Sequence, residues 1–198
     1  MFTGGFGTGN DQLSNPSGIA RDPNTGTLYI ADQANDRIMQ YLQGASSGTV
    51  IAGGYGPGSN SSQLNLPTGL YFDSSSNSLV IANTGANNIV RWVIGASSWT
   101  LVAGDANGSS GATSTLLDNP MDVVLDSMGN LYVADTNNQR IQFFLAGESN
   151  GTTIAGVTGS SGSTSSLLNG PYSVTIDSQL NIYVADYHNY RVQQFLRY

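Results

Sequence analysis

Four prolines set the frame of this chain. Pro16, Pro67, Pro120 and Pro171 fall 51, 53 and 51 residues apart, and an aspartate follows each by six residues: Asp22, Asp73, Asp126 and Asp177. Nine or ten residues on, Asp32, Asn83, Asp135 and Asp186 close the apolar runs 28–31, 79–82, 131–134 and 182–185. Five further residues bring Arg37, Asn88, Arg140 and Arg191. So many positions recurring together mark an internal repeat, the feature that most narrows the choice of fold.

Each unit reads as four short strands. In unit one they are a (18–21), b (28–31), c (37–42) and d (49–52), separated by turn residues such as Pro23-Asn24-Thr25-Gly26. No segment carries apolar residues at helical spacing over two turns, so little or no helix is expected. Four-stranded units at a fixed period, each too small to bury its own faces, predict an all-β propeller.

The ends extend the count. Residues 1–9 align with 50–58, so the chain opens on a d strand and closes on a c strand at 191–198. That gives sixteen strands in one domain spanning 1–198, with units at 13–53, 64–104, 117–156, and 168–198 plus 1–5. The expected fold is a β-propeller of four four-stranded blades whose N-terminal strand completes the last blade, leaving no bare edge. The same count is met if that strand passes to a neighbour. The alternatives are therefore a monomeric closed ring, or a larger ring assembled from several chains as a homo-oligomer sharing terminal strands.

The run Tyr132-Val133-Ala134-Asp135-Thr136-Asn137-Asn138-Gln139-Arg140-Ile141-Gln142-Phe143, preceded by Asn119-Pro120 and Val124-Leu125-Asp126, resembles an NHL repeat. Units one and four match it through Tyr29-Ile30-Ala31-Asp32 with Arg37-Ile38, and through Tyr183-Val184-Ala185-Asp186 with Arg191-Val192; unit two departs. The resemblance covers essentially the whole chain. It implies a propeller, usually of six blades, and a use in protein–protein interaction.

Composition removes much chemistry. All six basic residues are Arg, Cys is absent, and the single His is His188. Lysine-dependent and thiol catalysis are excluded, as are Cys-ligated zinc and any single-chain site needing two His. The lyases that NHL domains resemble use several His, more than this chain holds. A net charge of −7 with no basic run speaks against nucleic acid. No apolar stretch reaches the ~18 residues of a membrane span. The opening residues do not read as a signal peptide. Acceptor patterns for N-glycosylation at Asn60, Asn107 and Asn150 lean toward an extracellular setting.

The repeated charges read as architecture. Residues present in every blade lie around the ring and do not converge. Asp32 with Arg37, Asp135 with Arg140 and Asp186 with Arg191 span the b–c turn, where a bidentate pair is feasible. In unit two both partners are Asn, so the charges vanish together. The aspartates before the a–b turns suit bonding to turn amides. With those arginines committed, Arg21, Arg91 and Arg197 are left free, and the RNA-gripping basic face of some NHL proteins has no counterpart.

Candidate contacts for a ligand are few. Asp122, near the expected channel mouth, replaces Gly18, Gly69 and Ser173 of the other units. Trp92 and Trp99 suit carbohydrate or peptide stacking, or else fill the gap between blades; Tyr187 lies in a loop of unit four. His188 sits in a b–c turn. The stretch Asp105-Ala106-Asn107-Gly108-Ser109 starts like a calcium loop but lacks the later acids. No catalytic residue, cofactor or metal is expected. The reading is a non-enzymatic binding or scaffold module with a protein or peptide partner. A glycan-binding propeller and an excised or engineered scaffold without a ligand are the alternatives.

Overall fold

The computed structural model describes residues 5–196. They form four antiparallel sheets, one per unit, in a four-bladed propeller arrangement. Unit one holds β1 (Pro16–Arg21), β2 (Leu28–Asp32), β3 (Arg37–Tyr41) and β4 (Thr49–Gly53). Unit two holds β5 (Pro67–Asp73), β6 (Ser78–Asn83), β7 (Asn88–Val93) and β8 (Thr100–Gly104). Unit three holds β9 (Pro120–Leu125), β10 (Leu131–Asp135), β11 (Arg140–Phe144) and β12 (Gly151–Gly156). Unit four holds β13 (Pro171–Ile176), β14 (Ile182–Asp186) and β15 (Arg191–Phe195). The strand expected to complete this last blade falls on residues 1–4, outside the described residues.

Strands follow one another as neighbours in each sheet, as hairpin connections require. The b–c turns carry single 3-10 turns at Gln33–Asn35, Thr84–Ala86 and Tyr187–Asn189. No helix among the described residues is long and apolar enough to cross a membrane. In units one to three the pairing of the last two strands shifts register after the first apolar residue of strand c, a bulge that adds twist to the blade.

Alternation along each strand sends successive side chains to opposite faces, so every blade has two apolar faces to cover. Between units one and two, Tyr29, Ala31 and Ile38 meet Leu70, Ile81 and Trp92. Val80, Ala82 and Ile89 meet Val123, Val133 and Phe144 between units two and three, and Tyr132, Ala134 and Ile141 meet Val174 and Val184 between units three and four. Fully burying one such aliphatic side chain stabilises by about 1.5–3 kcal/mol, so the seams hold the blades together.

Units one and four present the two faces that these seams would otherwise cover. Ile19, equivalent to the buried Leu70, Val123 and Val174, is 63% exposed. Val192, equivalent to the fully buried Ile38, Ile89 and Ile141, is 72% exposed. Inner strands β1, β5, β9 and β13 pack successively, and no comparable packing joins β13 back to β1 among the described residues.

Candidate functional site

The charge pairs form as expected, with one correction. Arg37 Nε donates to Asp32 Oδ2 at 2.6 Å, Arg140 to Asp135 at 2.8 Å and Arg191 to Asp186 at 2.7 Å. The pairs are monodentate, not bidentate, because the other carboxylate oxygen has a different task. It accepts the backbone N–H that starts the unit: Ser14 for Asp32, Asp118 for Asp135 and Asn169 for Asp186. The guanidinium Nη atoms then donate to carbonyls of the loop before the unit. Arg140 holds Ala112, Thr113 and Leu116, and Arg37 and Arg191 hold the equivalent three. Each arginine thus fastens a Gly- and Ser-rich crossing that has little apolar surface of its own. Burial pushes the Asp135 carboxyl up, against hydrogen bonds from Asp118, Asn138 and Arg140.

Unit two solves the same problem differently. Asn83 Oδ1 accepts the Asn65 N–H and its amide donates to Asn88, whose own amide turns to the Asp105 carbonyl. The Gln63 carbonyl, which an arginine would hold, is taken instead by the Trp99 indole N–H. Trp92 donates its indole N–H to the Ala96 carbonyl. At 2% and 8% exposed, Trp92 and Trp99 lie in the core between units one and two and offer no open ring face for stacking. Trp92 does border a cavity of about 560 Å³ on the outer rim, beside Val50, Tyr55 and the committed Arg37.

The aspartates before the a–b turns accept turn amides: Asn24 for Asp22, Ser75 for Asp73, Met128 and Asn130 for Asp126, Gln179 and Asn181 for Asp177. Arg91, expected to be free, is ion-paired with Asp73 at 2.7 Å. Arg197 lies outside the described residues.

A set of links between units was not read from the sequence. The residue before each strand-c arginine or asparagine has a left-handed backbone, and in units one to three its side chain accepts an N–H of the next unit. Asp36 takes Leu66, Asn87 takes Asn119 and Gln139 takes Gly170. Thr84 and Thr136 hydroxyls donate to the Pro120 and Pro171 carbonyls. The signal was a polar side chain just before strand c in units one to three (Asp36, Asn87 and Gln139), and a threonine opening the b–c turn in units two and three.

The inner strands line one groove of about 360 Å³, formed by residues such as Ser17, Thr68, Leu70, Asp122, Tyr172 and Ser173. Asp122 stands in its wall. The carboxylate accepts the Ser173 hydroxyl and the Val174 and Val123 N–H groups. Burial nevertheless pushes its carboxyl up, and no salt bridge reaches it among the described residues. Room for it exists because position 69 is glycine: a Cβ there would stand 2.3 Å from Asp122 Oδ1. At the edge of the groove Tyr172 stacks on Tyr187 at 4.5 Å between ring centroids, and His188 meets Tyr187 edge-on at 5.0 Å. Asn60, Asn107 and Asn150 are exposed. Among the described residues no three His, Cys, Asp or Glu side chains gather where they could hold a metal ion.

Repeat, strand pattern and site together define a repeat propeller, and comparison with known proteins gives its kind. The NHL repeat family model matches residues 117–144 and 168–195. Units three and four are therefore NHL repeats, and units one and two repeat their pattern. No curated protein matches it in sequence. Among solved structures it is similar to an auxiliary nutrient binding protein from Bacteroides ovatus (17% identity, TM-score 0.68, covering 92% of this chain and 48% of that one). It is also similar to a chain of the nidogen/laminin complex (19%, 0.70, 92% and 60%) and to streptogramin B lyase (14%, 0.59, 93% and 55%). The chain therefore spans about half to three fifths of these structures, and at such identities the likeness is one of fold.

Proposed function

We propose that this propeller is a non-enzymatic binding module that takes a protein segment bearing a cationic group, a Lys side chain or a chain N-terminus, at the inner groove. The observation that carries the reading is Asp122: a carboxyl lining the groove, hydrogen-bonded by Ser173 and Val174, with no basic partner among the described residues. Such a group is stabilised by an incoming cation, and the net charge of −7 draws basic partners toward it. The Tyr172–Tyr187 stack beside it supplies flat contact area. A binding role is further supported by His188, whose neighbours are tyrosine rings and whose side chain meets no carboxylate or serine among the described residues.

The test is selection from a random peptide display library alongside a glycan array. The expected result is enrichment of peptides with Lys or a free N-terminus, binding that weakens with salt, and loss of binding in Asp122→Asn. Enrichment of neutral peptides indifferent to Asp122→Asn overturns the reading. Binding on the glycan array alone transfers it to the carbohydrate-binding alternative, through Tyr172 and Tyr187.

A further inference from the structure

We infer that two copies of this chain join head to tail, the outer face of unit four seating on the outer face of unit one, to close an eight-bladed ring. The seam proposed is one the molecule already builds three times. On its trailing side each seam uses Ile38, Ile89 or Ile141; unit four offers Val192 at the same position, exposed. On its leading side each uses Leu70, Val123 or Val174; unit one offers Ile19, also exposed. Each open face is thus the complement of the other, and both belong to the same chain.

One detail favours a second copy over an unrelated cover. In the seam between units one and two, Phe72 stacks on Tyr29 at 5.1 Å between ring centroids. At the open faces Arg21 takes the place of Phe72, and Tyr183 takes the place of Tyr29. Joining two copies lays the Arg21 guanidinium on the Tyr183 ring, whose hydroxyl donates to Asp177 at 3.1 Å. A cation then meets an aromatic face backed by a carboxylate, an attractive substitute for the aromatic stack. Contacts of unit four with unit one, repeated by a two-fold axis along the channel, close without leaving a free face. Eight blades lie within the range over which such rings close.

Native mass spectrometry and light scattering test this. The wild-type chain of 20.7 kDa is expected as a two-chain species. Ile19→Glu and Val192→Glu each run as single chains; both side chains are at the surface, and circular dichroism checks that the blades persist. An equimolar mixture of the two variants regains a two-chain species with one copy of each, because one of its two seams has both faces intact. Arg21→Ala weakens the pair, and Asp122→Asn leaves the mass unchanged, which separates this inference from the groove reading. A single-chain mass for the wild type overturns it. So does a pair indifferent to Ile19→Glu, a mixture that stays single-chain, or an open ladder of masses.

Discussion

The indole N–H of Trp99 donates to the carbonyl of Gln63 at 2.8 Å, where the other three units use an arginine Nη2. A unit that lost both members of its charge pair has thus kept one loop contact through an unrelated side chain. Trp99→Phe keeps most of the packing and removes this bond. It is expected to cost about 0.5–1.5 kcal/mol in urea unfolding. An unchanged midpoint contradicts the compensation.

Asp135 and Arg140 are almost wholly buried, whereas the Arg191 side chain is 29% exposed. Arg140→Ala strands a buried carboxylate and frees three loop carbonyls, for an expected loss of about 3–5 kcal/mol. Arg191→Ala costs less. Changing Asp135 and Arg140 together to Asn, the arrangement of unit two, costs less than the two single changes summed. A double-mutant cycle measures the coupling, and additivity removes the pair as a cooperative unit.

Acid stability follows from the turn aspartates. A Thr25 hydroxyl bond holds Asp22 below the ordinary carboxylate range, and the Asn181 amide does so for Asp177. At Asp73 burial pulls the other way, but bonds from Ser75, Ser76 and Arg91 win and the carboxyl is strongly depressed. For groups depressed on folding, the stabilisation is present above the unfolded value and lost as pH falls through the folded ones. Melting temperature is therefore expected to fall below about pH 4. Asp73→Asn makes that fall shallower.

Asp122 carries the opposite sign. Its carboxyl is raised, so the folded state is relieved as pH falls through the folded value and penalised above it. Asp122→Asn keeps an oxygen for Ser173 and is expected to raise the melting temperature near neutral pH. The gap to wild type should shrink in acid, and a gap constant with pH refutes the assignment.

Gly156 ends β12 at φ +79°, and a Cβ there would stand 2.2 Å from the Gln139 carbonyl oxygen. Gly156→Ala combines a disfavoured backbone with a backbone clash. A loss of about 1–3 kcal/mol is expected, read by thermal unfolding.

Repeat period, strand positions and the Asp135–Arg140 type of pair were legible because each depends on residues at fixed offsets within one unit. The second carboxylate oxygen was not, since its partner N–H lies across a loop whose course only the fold defines. Trp99 was legible in principle: the one unit lacking the arginine is the one that gained the tryptophan. Arg91 was read as free because Asp73 was assigned to turn amides alone, and its second oxygen turned out to face strand c. Asp122 was placed near the channel from its offset, but its bonds to Ser173 and Val174 link two units and have no signature in either one. The exposure of Ile19 and Val192 was invisible, because their residue types match those of buried equivalents.

The links made by Asp36, Asn87 and Gln139 form a relay, each unit holding the entry turn of its successor. The acceptor always stands just before strand c and the recipient just before the proline of the next unit, so a whole unit can be removed or copied between them without orphaning a bond at the new junction. Length in such a chain is free to change in steps of one blade, and the fold carries its own rule for growth. The relay stops at Tyr190, whose left-handed backbone keeps the shape of the link while its ring, 94% exposed, offers no amide or carboxylate oxygen to a successor.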